Sequence, residues 1–101
     1  MATTVKALAR TAALTTTTTT LYTVPAATTA VVTNIVVTNT AGTSATYTLA
    51  LDGISIATTV TIGALDSIVI DMKQVLAATK TITGGASATT VNFHISGVEI
   101  A

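Results

Sequence analysis

The stretch Ala45-Thr46-Tyr47-Thr48-Leu49-Ala50-Leu51-Asp52-Gly53-Ile54-Ser55-Ile56-Ala57 decides the fold class. Tyr47, Leu49 and Leu51 alternate with Thr46, Thr48 and Ala50, a period of two that puts the large apolar side chains on one face of a strand. Asp52-Gly53 then supplies two residues that adopt positive φ at low cost, the strongest short signal for a two-residue hairpin. Ile54 to Ala57 is expected to return as a strand with Ile54 and Ile56 on its apolar face. Two antiparallel strands are marginal alone, so more strands must cover that face.

The flanking sequence supplies them. Ala30 to Asn39 reads as the longest strand, with Val31, Thr33, Ile35 and Val37 on one face and Val32, Asn34, Val36 and Thr38 on the other. Both faces are partly apolar, which suits a central strand or one covered by a neighbouring subunit. Before it, Leu21 to Val24 forms a short strand that stops at Pro25, which has no N–H to give to a ladder. Asn39 to Gly42 reads as a turn. Val60 and Ile62 continue the alternation to Gly63, and Leu65 to Met72 follows with Ile68, Ile70 and Met72 facing in. Lys73 to Ala78 reads as a helical turn or an irregular corner, Thr79 to Thr83 as a strand, and Gly84-Gly85-Ala86-Ser87 as a flexible connection. The last strand spans Thr89 to Ile100, with Val91, Phe93 and Ile95 on one side and Asn92, His94 and Ser96 on the other. Beyond Gly97 the apolar residues become Val98 and Ile100, a change of parity that suggests a bulge at the glycine.

Threonine makes up about a quarter of the 101 residues, and valine and isoleucine add to the β-branched total. Such side chains are stiff at χ1 and fit a pleated surface. About eight short strands with turn signals every 8–12 residues or so indicate a single all-β domain, an antiparallel β-sandwich of the jelly-roll or immunoglobulin-like kind. Residues 1–20 read as an N-terminal strand or extended arm carrying the tract Thr15 to Thr20, and residues 21–101 as the sandwich. Residues 3–14 fit helical as well as strand spacing, and the strand is preferred. No repeat period or targeting segment is legible.

Charge is scarce. Lys6, Arg10, Lys73 and Lys80 balance Asp52, Asp66, Asp71 and Glu99, so 8% of residues are charged and the net charge is zero. An average soluble domain carries about 25%. No basic stripe exists to neutralise phosphates or anionic lipid, so neither nucleic acid nor a membrane surface is an expected partner. Mean hydropathy is +0.75, yet Thr, Asn and Gly break every apolar run well short of the ~20 residues that a spanning helix needs. A neutral, weakly charged surface promotes association.

Chemistry-bearing residues are few. His94 is the single histidine and there is no cysteine, so a His/Cys zinc site cannot be built within one chain. His94 falls on the polar phase of its strand and reads as a surface or interface residue. Asp52 serves the turn. Asp66 and Asp71, five apart, face opposite sides of an extended strand and make a poor carboxylate pair. No acidic cluster suits calcium and no glycine loop with a lysine suits phosphate. Ser44, Ser55, Ser67, Ser87 and Ser96 have no recognisable base beside them. The aromatics are Tyr22, Tyr47 and Phe93. Tyr47 and Phe93 fall in the apolar phase, which leaves Tyr22 alone as a platform for sugar. The expectation is therefore no catalytic residue, no metal or cofactor site and no small-molecule substrate.

Two segments carry a resemblance. Leu21-Tyr22-Thr23-Val24-Pro25-Ala26, followed by Thr29 to Thr40, and the closing Ala88 to Ile100 are similar to the corresponding parts of small β-sandwich virion proteins of tailed phages. The pattern covers about three quarters of the chain and consists of structural residues, so it carries no catalytic group over. The chain departs from it in the threonine tract and at Asn34, where a small residue such as serine is expected. The resemblance implies a compact sandwich in the virion, in a capsid-decorating (cement) or tail position. Its partners would be other copies of itself, for instance as a trimer at local threefold sites, and the major capsid or tail protein. The alternatives are a tail, baseplate or fibre subunit and, more remotely, a carbohydrate-binding module.

Overall fold

The computed structural model describes residues 2–101. Among them are eight strands: β1 (Thr3–Ala12), β2 (Thr20–Thr23), β3 (Thr29–Asn39), β4 (Ala45–Leu51), β5 (Ile54–Ile62), β6 (Ser67–Leu76), β7 (Thr81–Ala86) and β8 (Val91–Ile100). They form two four-stranded sheets of order β1-β8-β3-β6 and β2-β7-β4-β5, with every pairing antiparallel. Successive strands after β1 alternate between the sheets, apart from the β4–β5 hairpin. That order is a jelly roll, which resolves the two sandwich topologies left open by sequence. The core lies between the sheets, where Phe93, Ile35, Leu49, Ile62, Ile82 and Ile95 are the largest fully buried side chains.

The hairpin is as its dipeptide requires: Asp52 and Gly53 have φ of 53° and 75°, and Tyr47, Leu49 and Leu51 are buried. Its second strand differs from expectation. β5 runs on to Ile62, and Ile54 and Ile56 are exposed, not core. The register explains this. Ser55 pairs with Ala50 and Ala57 with Leu49, so Ile56 is an extra residue pushed out of the ladder. A second irregularity at Thr59, with φ of 49°, is stabilised by its N–H donating to Thr48 Oγ1 at 3.0 Å. Bulges of this kind twist an edge strand away from indiscriminate pairing.

The β1-β8-β3-β6 sheet corrects the faces assigned to β3 and β8. Val32 pairs with Gly97 and Ile35 with Ile95, so β3 spends three residues where β8 spends two. β1 does the same, with Lys6 on Gly97 and Ala9 on Ile95. The parity change therefore lies in β3, which buries Ala30 and Val32 and then, past Thr33, Ile35, Val37 and Asn39. β8 keeps one phase, and the bulged residues are in its neighbours. Gly97 is needed there because an added Cβ would collide with the Val31 carbonyl oxygen and lie 2.8 Å from Leu8 Cδ1.

Two further expectations are overturned. Residues 73–76 continue β6 as strand instead of forming a helical turn or corner, because Val75 and Leu76 pair with Val31 and Ala30. Gly84, Gly85 and Ala86 are buried strand in β7, not a flexible connection. Leu14 O and Thr19 O accept from Ala86 N at 3.0 Å and Gly84 N at 2.9 Å. The threonine tract thus crosses β7 so closely that a Cβ on Gly85 would lie 2.7 Å from Leu14 O. Ahead of the tract, β1 is a full strand of its sheet, paired along β8.

Candidate interaction surface

The outer face of the β1-β8-β3-β6 sheet is assembled by register. Val5 pairs with Val98, Val98 with Val31, and Val31 with Val75, so four valines cross the sheet side by side. They point outward because their neighbours Val32 and Gly97 are buried inward. Val5 and Val75, on the edge strands, are 81% and 66% exposed, while Val31 and Val98 between them are half-buried by their neighbours. A second row, Arg10-His94-Val36-Val69, crosses the same face, and Ala7-Ser96-Asn34-Asp71 lies between the two. Most side chains here are short. Its charged residues are Arg10 on β1 and Asp71 and Lys73 on β6.

The opposite face differs in kind. Outward positions of β4 and β7 include Thr46, Thr48, Thr81 and Thr83, whose hydroxyls suit water, with Ala50 among them. Ile54, Ile56 and Val60 are exposed along the β5 edge, on one strand and not in a row across the sheet.

Two polar clusters hold the ends of the sandwich. Asn39 is 1% exposed. Its Nδ2 donates to Thr43 O at 2.8 Å and Gly63 O at 3.2 Å, and its Oδ1 accepts from Ala41 N at 3.1 Å and Thr90 Oγ1 at 3.2 Å. One side chain thereby ties together the β3–β4, β5–β6 and β7–β8 connections. Toward the other end, Tyr22 of β2 donates its phenol proton to Glu99 Oε2 of β8, bridging the sheets, and Lys6 Nζ of β1 donates to Glu99 Oε1 at 3.3 Å. The hydrogen bond from Tyr22, with help from Lys6, holds the Glu99 carboxyl below its ordinary range. Burial, and then the carboxylate beside it, push the Tyr22 phenol well above its own. Burial alone raises Tyr47. The sequence treated Asn39 as a turn residue and attached no role to Glu99. Neither cluster had a sequence signal, because its members come together only when strands far apart in the chain pair.

The residues considered for chemistry stay apart. His94 is exposed between Arg10 and Val36. Asp66 precedes β6 and accepts from Ser67 N at 2.8 Å, while Asp71 is about 17 Å further along extended backbone. Ser87 Oγ accepts from Thr46 N at 2.9 Å, a structural bond. Tyr47 and Phe93 are buried, and Tyr22 is engaged by Glu99. Among the described residues no group of three His, Cys, Asp or Glu is placed to hold a metal ion. No helix among them is long and apolar enough to cross a membrane. The concavities are shallow: one of ≈ 300 Å³ lies between β1 and the threonine tract, and one of ≈ 430 Å³ lies beside Thr33 and Asp71.

No protein-family model matches the chain, and no curated protein is similar enough in sequence to count as a relative. Among solved structures the chain is similar to a pentameric capsid protein isolated from metagenomic phage sequences, with 20% identity and a TM-score of 0.37. The match covers 96% of this chain and 58% of that one, so this chain spans less than two thirds of the other's length. At that identity and TM-score the likeness assigns nothing to this chain.

Proposed function

We propose that the protein is a structural component of a phage virion, a capsid decoration protein that strengthens the shell by adhesion. The observation that carries the adhesive part is the outer face of the β1-β8-β3-β6 sheet: mostly short side chains crossed by a four-valine row on a chain with zero net charge. Burying such a face contributes about 25 cal/mol per Å² before association costs are subtracted. Many copies bound over a shell would multiply a modest single contact. The virion part is supported by the residue pattern at Leu21–Ala26, Thr29–Thr40 and Ala88–Ile100, and by a jelly-roll strand order, which capsid domains and lectins share. Fold alone does not choose between those two. A lectin reading has little to stand on, since Tyr47 and Phe93 are buried and Tyr22 is held by Glu99.

The test is immunogold labelling of purified particles with an antibody against the chain. Gold over the heads supports decoration. Gold confined to tails replaces it with a tail, baseplate or fibre role. Unlabelled particles overturn the virion assignment.

A further inference from the structure

The outer face of the β1-β8-β3-β6 sheet is complementary to itself, and we infer that its occupant is the same face of a second copy of this chain, related by a twofold axis running along the strands. The inference deepens the adhesive half of the proposed function and does not depend on the virion half.

Symmetry carries the first part. A twofold axis parallel to the strands, passing between β8 and β3, places β1 of one copy over β6 of its partner and β8 over β3. The valine row then falls on itself, with Val5 over Val75 and Val98 over Val31 from the two copies. An isologous interface requires this kind of self-matching. Charge carries the second part. Arg10 and Asp71 sit on opposite edge strands of the sheet, in neighbouring rows. Under the same operation each Arg10 comes within one row, about 7 Å along the strand, of the other copy's Asp71. The two cross-pairs form together, within reach of an arginine side chain. An axis at right angles to the strands would lay β1 on β1 and β6 on β6, leaving Arg10 and Asp71 on opposite edges of the interface with no crossed pair.

Area carries the third part. Four strands spaced about 4.8 Å apart and about 10 residues long present a face of roughly 600 Å². Two such faces bury about 1,200 Å² or somewhat more, the lower end of the range for specific stable interfaces. Short side chains allow the sheets to approach to about 10 Å, as stacked sheets do. The threonine-coated face of the other sheet offers neither the apolar row nor the crossed charges.

The experiment measures the association of the full chain by sedimentation velocity and native mass spectrometry, with far-UV circular dichroism to verify folding. The wild type is expected to be dimeric at micromolar concentration. Val75→Glu, at an exposed position, should weaken the dimer by at least about a hundredfold while the spectrum stays unchanged. Ile54→Glu, at an exposed position of the other sheet, should leave the dimer intact. Arg10→Glu and Asp71→Lys should each weaken association, and the two together should restore it, because crossed pairing of opposite charges returns. A wild type that stays monomeric, a dimer indifferent to Val75→Glu, or a charge-exchanged double variant no tighter than the singles each overturn the proposal. Its failure is distinct from that of the virion reading: a dimer absent from particles removes only the latter, and a monomer that decorates particles removes only the former.

Discussion

Replacing Phe93 with alanine is the sharpest probe of the core. The ring comes from the middle of β8, is fully buried and is the largest such side chain. A phenylalanine buries about 150–250 Å², which at about 25 cal/mol per Å² contributes roughly 4–6 kcal/mol. Alanine keeps the Cβ, and the neighbours relax only in part around the lost ring. Phe93→Ala should therefore cost about 3–5 kcal/mol. For a domain of this size each kcal/mol lowers Tm by about 4–8 °C, so melting should fall by at least about 12 °C. The assay is a urea melt with an unchanged m-value, paired with His94→Ala as its control. His94 is the next residue along β8 but faces out, and its loss should cost under about 0.5 kcal/mol. A Phe93→Ala loss below about 1 kcal/mol, or a His94→Ala loss equal to it, would mean the faces of β8 are assigned backwards and with them the valine row.

Other outcomes follow from single contacts. Gly97→Ala drives a methyl into the Val31 carbonyl and should cost about 1–3 kcal/mol or more, whereas Gly42→Ala, with open space around it, should be neutral or slightly stabilising in the same melt. Asn39→Ala leaves the buried ends of three connections without their shared partner and should cost about 1–3 kcal/mol; hydrogen exchange should quicken at Ala41 first. Because folding lowers the Glu99 pKa, its stabilisation is present above the ordinary carboxyl range and is lost as pH falls through the depressed value. Folding raises the Tyr22 pKa, so its contribution is complete below the ordinary phenol value and is lost as pH climbs above it. Tyr22→Phe should flatten both limbs of the stability–pH curve measured by thermal melting; an unchanged acid limb would refute the role given to the Tyr22–Glu99 bond.

How much was legible differs from strand to strand. The β4–β5 hairpin could be read completely at its turn, since Asp52-Gly53 settles backbone geometry locally. Its second strand could not, because the residue that bulges, Ile56, is selected by what β4 offers opposite. The inner face of β8 was visible as Val91, Phe93 and Ile95, but the switch of phase near Gly97 was assigned to the wrong strand. Parity along one chain shows that a switch occurs nearby; only pairing shows that β3 and β1 carry it. Gly84-Gly85 looked like a loop for a similar reason. Their small size serves the threonine tract passing over β7, a contact between segments about 65–72 residues apart.

For this protein, the sequence by itself determined strand content, the hairpin turn, most of the core and the near-absence of charge. These are properties of each residue and its immediate neighbours: β-branched stiffness, period-two burial and tolerance of positive φ. The tertiary structure decided the jelly-roll order, the bulges, the Asn39 and Glu99 clusters and the alignment of Val5, Val98, Val31 and Val75 into one row. All of those depend on which distant strands become neighbours and in what register, and a shift of one residue would turn the valines to the other side of the sheet.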